Sequence, residues 1–467
     1  MIYPFWHGGC NKLPGYENQS FMNRIFTTII LSLACTGSFA QGLSLKECMR
    51  YALDRSAKVR IQEAEVDDAR IARREAILKA FTPSLEAGSY AYSNFGRSVD
   101  PETNTYVSTT SFNNGYSISG GIVLFNGFEA INNVKVSRTS LMMGVEQEQK
   151  LRDDICLATM EAFCNVVYYS KLSDVVADQV RTLNDALTLV RKQEELGQKG
   201  YADVVQTEAD LADMEYNLIV ARNNLAAALL TLKDVMFWDE DNELEINMED
   251  FVASASLVNA EGAAAEVADF AIANHPSVLI AKGKLDNARL DLRTAKWKFS
   301  PQLSFYAGWS TSYYTYPGLK DYTPIPFKNQ FRNNGGEYLQ VSLSFPIFDR
   351  LRLFSNLKRS RNSFRKAEAE YDSTLRQVES EVERAVQDRD GAGSALIQAE
   401  RRESVQEEAW KLNVKKFEQG LISAIDFRKA SDNLLNAKAE RLNAMLKWRL
   451  KSSVVQYYNG VSYIDQE

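Results

Sequence analysis

The sequence predicts a mainly helical protein that also contains transmembrane β structure, and it predicts that this architecture is built twice. Three observations lead to this prediction. The second half of the chain repeats the first, each half contains a long stretch without Pro, and each half contains two segments in which apolar and polar residues alternate. Each repeat is expected to run from a helix through a β-hairpin to a pair of long helices.

The duplication is visible as three pairs of matching segments. EVDDARIARREAILKAFTPSL (65–85) matches KLDNARLDLRTAKWKFSPQL (284–303), FNGFEAINNVKVSR (125–138) matches FDRLRLFSNLKRSR (348–361), and GQKGYADVVQ (197–206) matches GLISAIDFRK (420–429). The last two pairs are both offset by 223 residues. The segment between them therefore has the same length in both repeats.

That segment predicts a long helix in each repeat. Phe125 to Gly197 and Phe348 to Gly420 each span 72 residues without Pro. As a helix, such a segment would extend about 108 Å, so it needs packing partners along its whole length. After Gly197, seven apolar residues recur at alternating steps of three and four, as in a coiled-coil seam. They are Leu211, Met214, Leu218, Ala221, Leu225, Ala228 and Leu232.

Two segments in each repeat alternate apolar and polar residues in the manner of transmembrane barrel strands. In the second repeat they are 302–314 and EYLQVSLSFPIF (337–348), and in the first they are 84–95 and GYSISGGIVLF (115–125). Pro83 and Pro301 mark the helix-to-strand junctions. The apolar residues are expected outside and the polar residues inside. A soluble antiparallel sheet with one wet face would show the same alternation.

Four strands are too few to close a barrel in lipid. An open edge would leave backbone N–H and C=O groups unpaired in hydrocarbon, and about eight strands is the usual minimum. Several chains could close the barrel together, and three copies would supply twelve strands. The same symmetry would assemble the long helices into a hollow cylinder below the barrel.

The N-terminus predicts export. Arg24 precedes an apolar run from Ile25 to Ala34, and Ser38 and Ala40 stand at −3 and −1 of a cut before Gln41, as in a secretory signal peptide. Met22 is then the expected initiator. In an alternative interpretation, Cys35 is the acylated residue of a lipoprotein.

Composition argues against several classes of function. The net charge is −7, from 54 basic and 61 acidic side chains, with no basic run that would indicate a nucleic-acid partner. Beyond the leader the only histidine is His275, so a zinc site or a Ser-His-Asp centre has too few residues. Cys48, Cys156 and Cys164 are expected to be packed thiols. We therefore predict neither an enzyme nor a cofactor.

The doubled order of helix, Pro, hairpin, LFNG (124–127) or IFDR (347–350), long helix, tip and return helix resembles the TolC-like outer membrane efflux proteins, over residues 44–458. The resemblance implies a homotrimer with a 12-stranded β-barrel in outer-membrane lipid and a long α-helical barrel in the periplasm. It implies an exit duct for small molecules that works with a periplasmic adaptor protein and an inner-membrane pump. A tunnel for type I protein secretion is the alternative, and a trimeric adhesin fits less well, because its strands would cluster at the C-terminus.

The expected organisation follows from the repeats. It comprises a leader and signal peptide (1–40), the first repeat (41–237, with its hairpin at about 84–125 and long helices at about 126–237), an equatorial linker (238–276), the second repeat (277–458, with its hairpin at about 302–348 and long helices at about 349–458) and a tail (459–467).

Candidate functional residues lie at the turns between the long helices. By the family pattern, Gly197 and Gly420 match the turn glycine, and Asp203 and Asp426 match the acidic residue that can line the periplasmic aperture. In the alternative interpretation, each Asp serves only to stabilise the N-terminus of its helix. Lys429 stands where some members of the family carry a second acidic residue, so the resemblance does not imply a purely anionic ring.

Overall fold

The computed structural model describes residues 42–466 apart from 100–103, 109, 240–243, 249–250, 252–263, 318 and 320–321. The predicted signal peptide, with Cys35, Ser38, Ala40 and the cut before Gln41, lies outside the described residues. Part of the predicted linker 238–276 does so too.

Both halves of the chain contain the same succession of main elements. The first half consists of α1 (Leu45–Arg55), α2 (Ala57–Phe81), β1 (Ser84–Asn94), β2 (Arg97–Val99), β3 (Tyr106–Ser108), β4 (Ser111–Phe125), α3 (Glu129–Glu195) and α4 (Tyr201–Met236). The second half consists of α5 (Ala264–Asn274), α6 (Pro276–Trp297), β5 (Gln302–Thr315), α7 (Phe327–Asn333), β6 (Gly336–Ser344), α8 (Arg352–Glu418) and α9 (Ala424–Tyr458). The sequence did not reveal β2, β3 and α7, which lie in the hairpin loops.

The four main strands form one antiparallel sheet in the order β1, β4, β5, β6. β4 of the first repeat pairs with β5 of the second from Phe112 opposite Thr315 to Phe125 opposite Leu303. The hairpins of the two repeats therefore lie side by side, and β1 and β6 are the edges. Within the described residues, neither edge strand has a second pairing partner.

The pairing register places the predicted apolar residues on one side of this sheet. Ile118 is opposite Trp309, and Ala307 is opposite Leu339. In β6 the residues Leu339 and Val341 are 78% and 67% exposed. We call this side the apolar sheet face, and its main members are Leu85, Ile118, Ile122, Phe305, Trp309, Leu339, Val341 and Leu343.

On the opposite, polar face, three tyrosine rings lie over glycines of the neighbouring strand. The pairs are Tyr90 over Gly115, Tyr306 over Gly121 and Tyr338 over Gly308. A Cβ atom at any of these glycines would lie 2.3 to 2.6 Å from the nearest ring atom. The missing side chain therefore leaves the space that the ring occupies.

The two longest helices, α3 and α8, have the same length of 67 residues, as the constant spacing predicts. α3 packs along α4, and α8 packs along α9. All seven residues of the predicted seam in α4 are buried or half-buried, while most residues between them are exposed. The coiled-coil prediction is therefore confirmed. None of the described helices combines the length and apolar character that a bilayer-spanning helix requires.

Both long helices begin after two successive left-handed residues. The φ angles are 68° and 62° at Gly127 and Phe128, and 59° and 64° at Arg350 and Leu351. A Cβ atom at Gly127 would lie 2.3 Å from the carbonyl oxygen of Trp297. The sequence match between FNGF and FDRL is thus a repeated backbone turn, although only its first copy carries a glycine.

Buried side chains form three clusters along the helices. The largest joins α1, α3, α4 and α9 and contains Cys48, Cys156 and Cys164. Burial raises the pKa of each thiol to about 12. These cysteines are packed thiols, as predicted.

Candidate functional site

The turns that join α3 to α4 and α8 to α9 have the same geometry. We call residues 196–203 the first tip and residues 419–426 the second tip. Gly197 and Gly420 have φ angles of 71° and 73°, and in each turn the N–H of the following residue donates to a helix carbonyl at 2.8 Å. This pattern is a Schellman motif, which ends a helix at a left-handed residue.

The two predicted acidic residues lie in the first turns of the return helices. The N–H of Gly200 donates to Asp203 Oδ2 at 3.3 Å. The Ser423 hydroxyl accepts from the N–H of Asp426 at 3.1 Å and donates to Asp426 Oδ2 at 2.7 Å. Each carboxylate therefore takes part in helix capping. Asp426 is exposed and Asp203 is half-buried in the single chain.

Lys429 is exposed on α9, three residues beyond Asp426. Residues at this spacing lie on neighbouring positions of a helix surface. The structure thus places a cation next to the candidate aperture residue on the same helix.

An ion-pair cluster joins the return helices of the two repeats. Arg428 Nη1 lies 2.5 Å from Asp210 Oδ1, and Arg428 Nη2 lies 3.0 Å from Asp213 Oδ2. Asp210 is only 3% exposed. A third carboxylate lies nearby, with Asp432 Oδ2 3.7 Å from Arg428 Nε. Burial raises the pKa of Asp432. We call these four residues the inter-repeat clamp.

The sequence prediction missed the inter-repeat clamp. A signal was present, because Asp210 immediately precedes Leu211 of the predicted seam, where a carboxylate needs a polar partner. Nothing in the sequence identified Arg428 as that partner, since the two residues belong to different repeats.

The two tips also touch each other. Lys199 Nζ lies 4.0 Å from the ring centre of Phe417, and the Phe417 ring stacks on Phe427 with centroids 4.2 Å apart. The Gln193 side chain donates to the carbonyl oxygen of Glu418 at 3.3 Å. Burial lowers the pKa of Lys199. One cation–π contact and one hydrogen bond therefore hold the C-terminal end of α8 against the end of the first hairpin, and the Phe417–Phe427 stack joins α8 to α9.

The two junction prolines lie far along the chain from the tips. Pro83 lies between the last residue of α2, Phe81, and the first residue of β1, Ser84. Pro301 immediately precedes β5. A proline here cannot continue the helix, so both sit where the helical region meets the sheet.

A polar cavity of about 540 Å³ lies between the C-terminal end of α9 and the N-terminal end of α6, with α3 and α8 on its flanks. Its charged and aromatic lining residues include Lys150, Asp153, Asp154, His275, Lys284, Glu381, Tyr457, Tyr458 and Tyr463. The described residues contain no group of His, Cys, Asp and Glu arranged to hold a metal ion.

Asp153 is the most perturbed carboxyl group of this cavity. The Tyr457 hydroxyl donates to Asp153 Oδ2 at 3.0 Å, and the Gln149 amide donates to Asp153 Oδ1 at 2.9 Å. Burial nevertheless raises the pKa of Asp153 to about 6. His275 stacks on Tyr458 and caps α6 by accepting from a backbone N–H, and burial lowers its pKa.

Solved structures of outer membrane proteins share this fold. CusC is similar with a TM-score of 0.75 at 14% identity, over 89% of this chain and 92% of that one. VceC from Vibrio cholerae has a TM-score of 0.71 at 16% identity, over 89% of this chain and 96% of that one. MtrE from Neisseria gonorrhoeae, solved as an open outer membrane channel, gives 0.70 at 16% identity, over 91% of both chains. A search of curated protein sequences found no match.

The family comparison agrees with the fold. Residues 267–454 match the model of the outer membrane efflux protein family. This segment includes β5, β6, α8, the second tip and α9 as far as residue 454. The first repeat duplicates the same architecture. By this match, residues 267–454 carry the domain of the outer membrane efflux protein family, and the fold of the chain is similar to that of solved outer membrane channels.

Proposed function

We propose that three copies of this chain form the outer-membrane exit duct of a tripartite efflux system that passes small molecules out of the cell. The observation that carries the proposal is the connection of a four-stranded sheet, with both edges unpaired in the described chain, to two equal hairpins of long helices. The match of residues 267–454 to the outer membrane efflux protein family supports the same function.

The sheet edges provide the reason for a trimer. In hydrocarbon, an unpaired strand edge costs several kcal/mol for each unsatisfied backbone group. If β6 of one copy pairs with β1 of the next, three copies close a barrel of twelve strands. The apolar sheet face then meets outer-membrane lipid, and the polar face with its tyrosines lines the interior.

The helices continue this duct into the periplasm. A helix of 67 residues extends about 100 Å, and each pair would contribute a segment of a hollow helical barrel that ends at the tips. In this arrangement Asp426 lines the periplasmic aperture, Asp203 lies further from the axis, and the inter-repeat clamp holds the second repeat's return helix against the first.

The tips are the expected contact with a periplasmic adaptor protein and, through it, an inner-membrane pump. Both tips expose apolar side chains at their ends. Leu196 and Tyr201 are exposed on the first tip, and Leu421 and Ile425 are exposed on the second. Apolar residues at the end of a long helical hairpin are suited to contact a partner with a complementary helical end.

Native mass measurement of the protein extracted from outer membranes, together with conductance in planar bilayers, tests this proposal. We expect a trimer and stable aqueous channels. A folded monomer in detergent, or a protein that forms no channels, would contradict it. Deletion of the gene should also raise the cellular retention of an efflux dye.

A further inference from the structure

The short helix α7 replaces a strand at the loop end of the sheet. β6 pairs with β5 only as far as Gly336 opposite Ser310, whereas β5 continues to Thr315. Beyond that point the Gln330 side chain donates to the Tyr314 carbonyl at 2.8 Å and accepts from the Tyr314 N–H at 3.0 Å. Backbone groups satisfied in this way suit a strand end that water does not reach.

Aromatic residues of α7 lie on the apolar sheet face. The ring of Phe331 is 5.5 Å from Tyr116 and 5.6 Å from Trp309, between centroids. The ring of Phe327 is 5.4 Å from Tyr313 and 6.0 Å from Tyr116. An aromatic band thus closes the loop end of the apolar face. Such bands lie at the headgroup level of membrane barrels.

Two cations point away from this contact. Lys328 and Arg332 each follow one of the phenylalanines and are exposed. One residue corresponds to about 100° around a helix, so the pair forms a stripe beside the aromatic side of α7 and away from Gln330. The spacing of four residues places the two cations next to each other.

We propose that α7 is an interfacial anchor whose Lys328 and Arg332 bind the phosphate of a lipid headgroup in the outer leaflet. The inference rests on the proposed function, which places the apolar sheet face in lipid. Aromatic rings at the headgroup boundary fix the depth of α7, and the two cations then lie at the level of the lipid phosphates. Each such cation strengthens attraction to an anionic membrane surface.

The experiment compares the full-length protein with Lys328→Gln/Arg332→Gln in nanodiscs of phosphatidylglycerol or of a neutral, phosphate-free diglycosyl lipid. Native mass spectrometry counts the lipids that remain bound after gentle detergent extraction. The matched control is Arg361→Gln/Arg365→Gln, an exposed pair with the same spacing on α8. Free inorganic phosphate, added in a separate arm, distinguishes a lipid headgroup from the bare ion.

We expect the unaltered protein and the control to retain phosphatidylglycerol, and the α7 variant to retain it roughly tenfold less well. Lys328→Arg alone should retain phosphatidylglycerol as well as the unaltered protein does, because it keeps both positive charges. Equal retention by the α7 variant, or displacement of the lipid by inorganic phosphate, would overturn the inference while leaving the duct intact. Failure of the unaltered protein to enter nanodiscs would instead overturn both the duct and the anchor.

Discussion

Arg428 and Asp210 connect the return helix of the second repeat to the return helix of the first. The Arg428 Nη1 atom donates to Asp210 Oδ1 at 2.5 Å, and Asp210 is almost fully buried. The two residues are 218 positions apart in the sequence, so the contact is long-range. This pair therefore adds a buried ionic contact to those that hold the two hairpins together near the tips.

Arg428→Ala is expected to widen the periplasmic end of the duct. The substitution leaves Asp210 buried without its cation, and breaking a buried pair in this way costs about 3–5 kcal/mol. Moving α9 away from α4 admits water to the carboxylate and relieves that cost. Single-channel conductance in planar bilayers should rise. Arg402→Ala removes an ion pair within the α8 and α9 hairpin and should leave conductance unchanged. The idea is wrong if the two variants behave alike.

Asp426→Asn is expected to lower cation selectivity. If three copies of Asp426 converge near the axis, the carboxylates attract cations into a narrow aqueous throat. Lys429→Ala should raise selectivity, because it removes the neighbouring positive charge. The same change at Asp203 should have less effect. Reversal potentials under a salt gradient provide the measurement.

Ser423→Ala separates the aperture role of Asp426 from its capping role. Ser423 exchanges hydrogen bonds with Asp426 at the start of α9, so its loss weakens the cap by about 1 kcal/mol but keeps the charge. Selectivity should survive this change. If Asp426→Asn and Ser423→Ala both loosen α9 and neither alters selectivity, the carboxylate serves only as a cap.

Gly127→Ala is expected to destabilise the fold. Gly127 has a φ angle of 68°, and an added Cβ atom would approach the Trp297 carbonyl oxygen to 2.3 Å. The strain should cost about 1–3 kcal/mol, visible as a lower melting temperature. Gly391→Ala, in open space within α8, should instead stabilise by about 0.5–1 kcal/mol. If Gly127→Ala leaves the melting temperature unchanged, the turn relaxes to accommodate the added methyl group.

Acidification should relieve an unfavourable burial at Asp153. Its pKa is raised to about 6 in the fold from an ordinary value of 3.8, so the folded state binds the proton more readily. This contribution to stability is complete below pH 4 and is lost as the pH rises through 6. Asp153→Asn should therefore stabilise the protein at pH 8, by about 3 kcal/mol, and have little effect at pH 4.

Thermal unfolding of the two proteins from pH 4 to pH 8 measures this difference. His275 faces the same cavity and acts in the opposite direction, because its lowered pKa costs stability as the pH falls. Its effect cancels when the variant is compared with the unaltered protein. Asp154→Asn, at the exposed neighbouring residue, is the control. An equal effect of both substitutions would refute the assignment to Asp153.

The repeated architecture could be predicted from the sequence because its signals are local. The equal lengths of α3 and α8 were predicted from the equal spacing between Phe125 and Gly197 and between Phe348 and Gly420. The steps of three and four in α4 identified its buried seam, and the alternation in 302–314 identified β5. Each of these patterns reflects a periodicity of the backbone that one segment carries alone.

Contacts between the repeats could not be predicted in this way. The inter-repeat clamp, the approach of Lys199 to Phe417 and the pairing of β4 with β5 depend on how two similar halves are placed relative to each other. α7 was missed for a different reason. Its seven residues are too few to show a helical period, and its stability comes from contacts of Gln330 and Phe331 with β5.

The contact between the two tips limits how the chain can change in length. Gln193 of the first repeat reaches Glu418 of the second only because both long helices contain the same number of residues. One residue inserted into α3 alone would turn the first tip by about 100° and move it by about 1.5 Å relative to the second. Insertions and deletions should therefore be tolerated only when both repeats change together, in steps close to two helical turns.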